Sequence, residues 1–180
     1  IINKIIRCHS LINNKLIHIL RCGGFTNTID LANEVVNSNL TGKLSKSCII
    51  LDRDIENEAR EYIRKNDISN NIPLNYLPID SLEKFLKRKL IDSVDHTFFR
   101  KLNDFIFHQK SLDALISEYK ETYDIQKDKN GKNFYKTLEK EIKLRNKNRS
   151  EIIEITIKHI ADHNTAEYQS LLTFLRHQLS

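Results

Sequence analysis

The chain has 180 residues, of which 39% are hydrophobic and 29% are charged, which is the composition of a soluble globular protein rather than of a disordered one. No apolar run approaches the ~18 residues of a membrane span and no secretory signal pattern opens the chain, so we expect a cytoplasmic protein without membrane contact. The net charge of +5 is compatible with nucleic acid as a partner.

Strand and helix patterns alternate through the first half of the chain. Residues 15–21 (KLIHILR) predict a first strand, and the apolar run 48–51 predicts a second. Residues 73–78 (PLNYLP), bracketed by prolines, predict a third strand. A helical pattern follows each strand, and an amphipathic helix begins the chain. This alternation predicts an α/β fold, in which a small parallel sheet is flanked by helices and joined by right-handed crossovers.

The second half of the chain shows helical periodicity, interrupted by the polar segment DIQKDKNGK. We therefore expect an α/β core over residues 1–94 and an all-helical C-terminal extension over residues 95–180. The last two predicted helices, residues 150–162 and 165–178, carry more apolar residues than one narrow stripe needs. They either bury each other or offer a face to a partner.

Two aspartates, Asp52 and Asp54, directly follow the second predicted strand. Parallel α/β sheets bind ligands at the carboxyl ends of their strands. In an extended chain the two side chains would point the same way, about 6.5 Å apart. Such a pair suits Mg²⁺ (or Mn²⁺), which binds one or two carboxylates together with water and phosphate oxygens. The alternative is that Asp54 caps the next helix and Asp52 is a solvated loop residue.

Glu83 and Lys84 begin the helix after the third predicted strand, at the same edge of the sheet. Glu83 is a candidate metal ligand or a support for one. Lys84 belongs with Lys87, Arg88 and Lys89 to a basic cluster that could meet phosphates. The alternative for Glu83 is structural, because residues 80–83 approximate a capping box with Asp80 as the cap. The alternative for the basic cluster is a solvated helix face.

Other metal and nucleotide motifs are less specific. His159 and His163 have an i, i+4 spacing that permits a metal site, but no third ligand is evident nearby, so we expect them on the surface. The DKNG segment resembles part of a calcium loop, yet Gln126 and Thr137 occupy the first and twelfth positions and argue against an EF-hand. The sequence has no GxxxxGK[ST] phosphate loop.

Four segments together resemble a known family: GGFTNTIDLANEV, IILDRDI, YLPIDSLEKFLKRKL and DKNGKNFYKTLEKEI. They are similar to the TOPRIM-type domain at the C-terminal end of bacterial ATPases related to the overcoming-lysogenisation-defect (OLD) nucleases. Similar ATPases occur in phage-defence systems such as Septu and in some retron systems. The resemblance covers residues 1–145, and LDRD and LPIDSLEK are its most specific parts.

The resemblance implies a Rossmann-like TOPRIM sheet and Mg²⁺-dependent cleavage of DNA or RNA phosphodiesters, with Asp52 and Asp54 as the DxD metal ligands. Glu83 and Lys84 are the further catalytic candidates at this edge. The resemblance also implies an upstream ABC-type ATPase domain, which would bind ATP and make the protein a homodimer or a higher oligomer.

One element of the family pattern is missing from the sequence. TOPRIM domains use a glutamate after their first strand, whereas this chain begins in what would be the first helix. We expect the chain to be a piece of a longer protein, in which that strand lies upstream or is absent. Without the glutamate, the alternative function is an inactive scaffold that dimerises the ATPase or recruits a separate nuclease subunit.

Overall fold

Helices form most of the protein in the computed structural model, which describes residues 1–11, 17–40, 42, 46–68, 71–107 and 111–180. The two strands within these ranges are β1 (Ile49–Leu51) and β2 (Leu74–Tyr76). The α-helices are α1 (Ile2–Cys8), α2 (Phe25–Asn37), α3 (Glu56–Lys65), α4 (Leu82–Lys87), α5 (His96–Ile106), α6 (Leu112–Thr122), α7 (Lys132–Leu144), α8 (Arg149–His163) and α9 (Ala166–Leu179). A 3-10 helix (Arg53–Ile55) precedes α3, and α4 continues as a π-helical segment (Arg88–Asp92). None of the described helices combines the length and the apolarity needed to cross a membrane.

The two strands pair in parallel, and α3 connects them along the chain. Ile49 is aligned with Leu74, and Leu51 with Tyr76. The pairing continues past the strands, because the Leu77 amide donates to the Leu51 carbonyl at 2.8 Å. The structure therefore confirms the predicted α/β class and its small parallel sheet. The sheet and helices α2 and α3 enclose a buried cluster that consists of Ile29, Ile49, Leu51, Ala59, Ile72 and Tyr76.

The first predicted strand, over residues 15–21, is wrong where it can be judged. Residues 15 and 16 lie outside the described part of the chain, and residues 17–21 have no regular secondary structure. Ile19 and Leu20 are 40% and 70% exposed. A strand needs a hydrogen-bonded neighbour and a buried face, and an apolar pattern alone supplies neither. The sheet formed by the described residues accordingly has two strands instead of three.

The chain folds into two compact units. The sheet unit contains residues 2–79 and 164–180, so helix α9 belongs to the same unit as β1 and β2. The helical unit contains residues 80–163 together with Ile1. The domain boundary expected after residue 94 falls within the helical unit.

Helix α9 completes the sheet unit. It contacts β2, and Tyr168 near its start is 1% exposed. The Tyr168 hydroxyl lies 2.7 Å from Nε2 of His9, just beyond the end of α1. The first and last segments of the sheet unit therefore meet around one buried tyrosine.

In the helical unit, α4 and α7 approach each other at Gly131. This glycine has a φ of +66°, and a Cβ atom at this position would overlap the carbonyl of Glu83 and lie 3.0 Å from Cβ of Lys87. Both the left-handed backbone and the close approach require glycine here. Gly131 thus sets the position from which α7 begins.

Candidate functional site

The turn after β1 carries the two predicted metal ligands. Asp52 directly follows Leu51, has an extended backbone and is exposed, so it lies at the carboxyl end of a parallel strand. Asp54 is partly buried within the 3-10 helix, so the spacing expected from an extended chain does not describe this pair. Asp54 does not cap α3 either, since Ile55 occupies that position without a side-chain hydrogen bond. The metal-binding role of the pair stays a prediction.

Arg53 lies between the two aspartates and fixes this turn to the segment after β2. Its amide donates to the Ile79 carbonyl at 3.4 Å, and its Nε donates to the Leu77 carbonyl at 3.3 Å. Its Nη1 also lies 3.9 Å from Oε2 of Glu56 at the start of α3. Arg53 thus connects the segments that follow β1 and β2. It also places a positive charge between the two carboxylates in the sequence.

Glu83 and Lys84 lie in the first turn of α4, in the helical unit. Ser81 caps this helix, because its side chain accepts a hydrogen bond from the Lys84 amide at 3.3 Å. The capping box with Asp80 as the cap is therefore wrong by one residue, and Glu83 does not occupy the third helical position that the box requires. Oε1 of Glu83 instead lies 3.5 Å from Nη2 of Arg149.

The basic cluster around α4 is tied into ion pairs. Lys87 is 7% exposed, and its Nζ lies 2.7 Å from Oδ1 of Asp92. Nζ of Lys89 lies 3.1 Å from Oδ2 of Asp95. The alternative of a fully solvated basic face is therefore wrong for Lys87 and Lys89, because both lysines form ion pairs with acidic residues of the same unit.

The DKNG segment anchors the start of α7. Asp128 is buried, and its carboxylate accepts hydrogen bonds from the amides of Asn133 at 3.2 Å and Phe134 at 2.9 Å. It also accepts one from the Tyr119 hydroxyl at 2.8 Å. Burial raises the pKa of Asp128, but these three bonds favour the charged form and bring the pKa below its ordinary value. Burial and the Asp128 carboxylate both raise the pKa of Tyr119.

A second group of titratable side chains lies where α5 and α8 pack together in the helical unit. Asp95 caps α5 by accepting a hydrogen bond from the Phe98 amide at 3.0 Å. His159 and His163 lie on successive turns of α8, with ring centroids 4.2 Å apart. Nε2 of His159 lies 3.2 Å from Oδ2 of Asp95. Within the described ranges, this is the one group of three or more acidic, histidine or cysteine side chains whose ligand atoms all lie within 4.8 Å of one another.

Burial and charge act in opposite directions in this group. Burial lowers the pKa of His159, which is 2% exposed, and the nearby Asp95 carboxylate partly opposes that effect. Burial would raise the pKa of Asp95, but the Phe98 amide, Lys89 and His159 outweigh it and bring the pKa to about 2. At neutral pH the arrangement is therefore a charged carboxylate beside a neutral imidazole.

Sequence reasoning placed both histidines on the surface, which is wrong for His159. His163 is exposed as expected. The i, i+4 spacing was the available signal, because it puts two imidazoles on one helix face. The third member, Asp95, lies far away in the chain, and only the packing of α5 against α8 brings it to His159.

The candidate residues fall into two separate sets in the two units. Asp52 and Asp54 share one turn of the sheet unit, and Glu83 and Lys84 share the first turn of α4 in the helical unit. The group of Asp95, His159 and His163 was not predicted. The chain matches no family model, no curated protein and no solved structure.

Proposed function

We propose that the chain is a TOPRIM-like domain that cleaves phosphodiester bonds of DNA or RNA with Mg²⁺ or Mn²⁺ bound at Asp52 and Asp54. The observation that supports this proposal is the position of Asp52, directly after Leu51 at the carboxyl end of a parallel strand. This is the edge at which open parallel sheets bind their ligands. Asp54 supplies a second carboxylate from the same turn.

The chemistry of this turn fits a hard divalent cation. Carboxylate oxygens are ligands that Mg²⁺ accepts, and the ion keeps water and phosphate oxygens in its remaining positions. The bound metal would activate a water molecule and stabilise the leaving oxygen. The net charge of +5 favours the approach of a polyanion. The catalytic roles of Glu83 and Lys84 stay predictions of the sequence alone.

The proposed context is an OLD-like ABC-type ATPase of cytoplasmic anti-phage defence. In that setting ATP binds to a separate ATPase domain, and the TOPRIM-like domain acts on nucleic acid within a homodimer or higher oligomer. The resemblance of LDRD and LPIDSLEK to this family supports the setting.

Metal binding and cleavage are tested separately. In the isotope-labelled chain, Mn²⁺ should broaden the amide resonances of residues 52–55 by paramagnetic relaxation, and Mg²⁺ should compete. Asp52→Asn and Asp54→Asn should abolish the broadening. Glu58→Gln, which removes an exposed acid from the first turn of α3, should preserve it. Equal broadening in Asp52→Asn and the parent chain would refute the metal site.

Cleavage is measured on labelled single- and double-stranded DNA and RNA with Mg²⁺ or Mn²⁺, using the same variants. We expect cleavage by the parent chain and by Glu58→Gln, and its loss in Asp52→Asn. If Mn²⁺ binds at residues 52–55 but no nucleic acid is cleaved, the nuclease proposal fails. The alternative of an inactive scaffold that dimerises the ATPase or recruits a nuclease subunit is then favoured.

A further inference from the structure

The group of Asp95, His159 and His163 has the composition of a transition-metal site. We propose that His159 and His163 bind a divalent transition-metal ion, for which Zn²⁺ is the best fit, and that Asp95 orients His159 and supplies negative charge. The ligand atoms of the three side chains lie within 4.8 Å of one another. This proposal is independent of the hard-cation site at Asp52 and Asp54.

The helix α8 presents both imidazoles on one face, as pairs of metal-binding histidines at i, i+4 do. The His159 ring is held in place by aromatic neighbours, since its centroid lies 4.7 Å from that of Phe98 and 6.4 Å from that of Phe85. His163 is exposed, which gives an ion access from solvent. His159 is thus a fixed, buried ligand and His163 an accessible one, and the two lie on adjacent turns of α8.

The hydrogen bonds of the two rings match those of metal-binding histidines. Nδ1 of His163 lies 2.7 Å from the His159 carbonyl, which can only accept, so this nitrogen carries the proton and Nε2 keeps a lone pair. Nε2 of His159 faces the Asp95 carboxylate, which also accepts. Histidines that bind metals commonly donate their other ring N–H to a carbonyl or a carboxylate in this way.

The remaining nitrogen of His159 is the observation that favours a ligand. Its Nδ1 is buried and has no hydrogen-bond partner among the residues that the structure describes. A buried polar atom without a partner costs about 1–3 kcal/mol. With the proton on Nε2, the lone pair of Nδ1 is available to a cation, and coordination would offset this cost.

The ligand chemistry selects the class of metal. Imidazole nitrogens suit Zn²⁺ and its transition-metal neighbours, whereas Mg²⁺ and Ca²⁺ prefer sites built of oxygen. The charged Asp95 carboxylate offsets part of the charge that the ion would bring. Zn²⁺ should therefore bind here in the presence of excess Mg²⁺.

A structural ion pair is the competing explanation. Nζ of Lys89 lies 3.1 Å from Oδ2 of Asp95, the same oxygen that faces His159. If the group serves only to cap α5 and pair Lys89, it has no affinity for metal. If it binds metal, the lysine is a competing cation, and Lys89→Gln should increase Zn²⁺ affinity about fivefold by removing a like charge.

The test is a Zn²⁺ titration of the metal-stripped 180-residue chain against a chelating indicator, with excess Mg²⁺ present. We expect one Zn²⁺ per chain and a loss of affinity of about 100-fold in both His163→Ala and His163→Gln. His177→Ala removes an exposed histidine of α9 and is the matched control, which should bind Zn²⁺ like the parent chain. Far-ultraviolet circular dichroism verifies that each variant is folded.

Three results would overturn the proposal. The first is that the parent chain binds no Zn²⁺, and the second is that both His163 variants bind it as tightly as His177→Ala does. The third comes from Co²⁺ substitution: a thiolate-to-cobalt charge-transfer band would assign the metal to cysteines, such as the exposed Cys8 and Cys48. Failure of the cleavage assay would leave this site untouched, because neither the ligands nor the readout is shared.

Discussion

Replacing Asp128 by asparagine should destabilise the helical unit strongly, although the two side chains have nearly the same shape. The carboxylate accepts hydrogen bonds from two amides of α7 and from the Tyr119 hydroxyl in a buried position. Asparagine keeps one acceptor oxygen and turns the other into a donor. In either orientation of the amide, the –NH₂ group faces at least one backbone N–H, which is left without an acceptor.

Two effects of the substitution set its cost. Losing a hydrogen bond to a charged group costs about 1.5–3 kcal/mol, and a buried donor without a partner costs about 1–3 kcal/mol. Because the two effects overlap, we expect a decrease in the free energy of unfolding of about 3 kcal/mol. For a chain of this size that corresponds to a decrease in Tm of about 6–12 °C.

The assay is urea and thermal unfolding followed by circular dichroism. Asp124→Asn is the matched control, because Asp124 is an exposed acid of the same loop whose Oδ1 accepts a hydrogen bond from the Gln126 amide. It should cost less than about 1 kcal/mol. If Asp128→Asn and Asp124→Asn lower the unfolding free energy equally, the buried carboxylate does not anchor α7 and the reasoning is wrong.

Three further predictions concern the same part of the fold. Tyr119→Phe should lower the free energy of unfolding by about 1.5–3 kcal/mol, because it removes a hydrogen bond to the charged Asp128 carboxylate. A double-mutant cycle should show a smaller effect when Asp128 is already asparagine. Stability should fall as the pH drops below about 4, because the pKa of Asp128 is lower in the folded chain than its ordinary value of 3.8. The midpoint of urea unfolding should decrease less steeply with falling pH in Asp128→Asn than in the parent chain. Gly131→Ala should lower the free energy of unfolding by about 3 kcal/mol, because the residue has a positive φ and the added Cβ overlaps the Glu83 carbonyl. Gly23→Ala, also at positive φ but with only Nδ2 of Asn27 near the added Cβ, at 4.0 Å, should cost about 1 kcal/mol. Equal costs would refute the close approach at Gly131.

Periodicity predicted the helices well because it records which face of a helix is buried. Helices were expected over residues 150–162 and 165–178, and α8 and α9 begin and end within one residue of these limits. Residues 49–51 of the apolar run at 48–51 form β1, and the burial of Ile49 and Leu51 agrees with the apolar character of the run. The run KLIHILR is also rich in leucine and isoleucine, yet Leu20 is exposed. Nothing in the sequence states whether a partner strand exists.

The candidate sites were only partly predictable, because local spacing was informative and distant contacts were not. LDRD located a turn at a strand end, but the 3-10 geometry of Asp54 could not be read from an alternation rule. Ser81 caps α4 where Asp80 was expected, a shift of one residue between two good capping residues. The partner of His159 was missed because Asp95 reaches it through tertiary packing alone.

The order of the two units along the chain affects how the protein forms during translation. Residues 80–163 are synthesised before α9, so the helical unit does not need α9 in order to fold. The sheet unit can be completed only after α9 has been made, because His9 contacts Tyr168, which lies 159 positions further along the chain. Contacts over such a distance close slowly, and until α9 has been made the β1–β2 pair lacks the helix that contacts β2. A chain that terminates before α9 would therefore combine a finished helical unit with an open sheet unit, a form suited to recognition by chaperones and proteases.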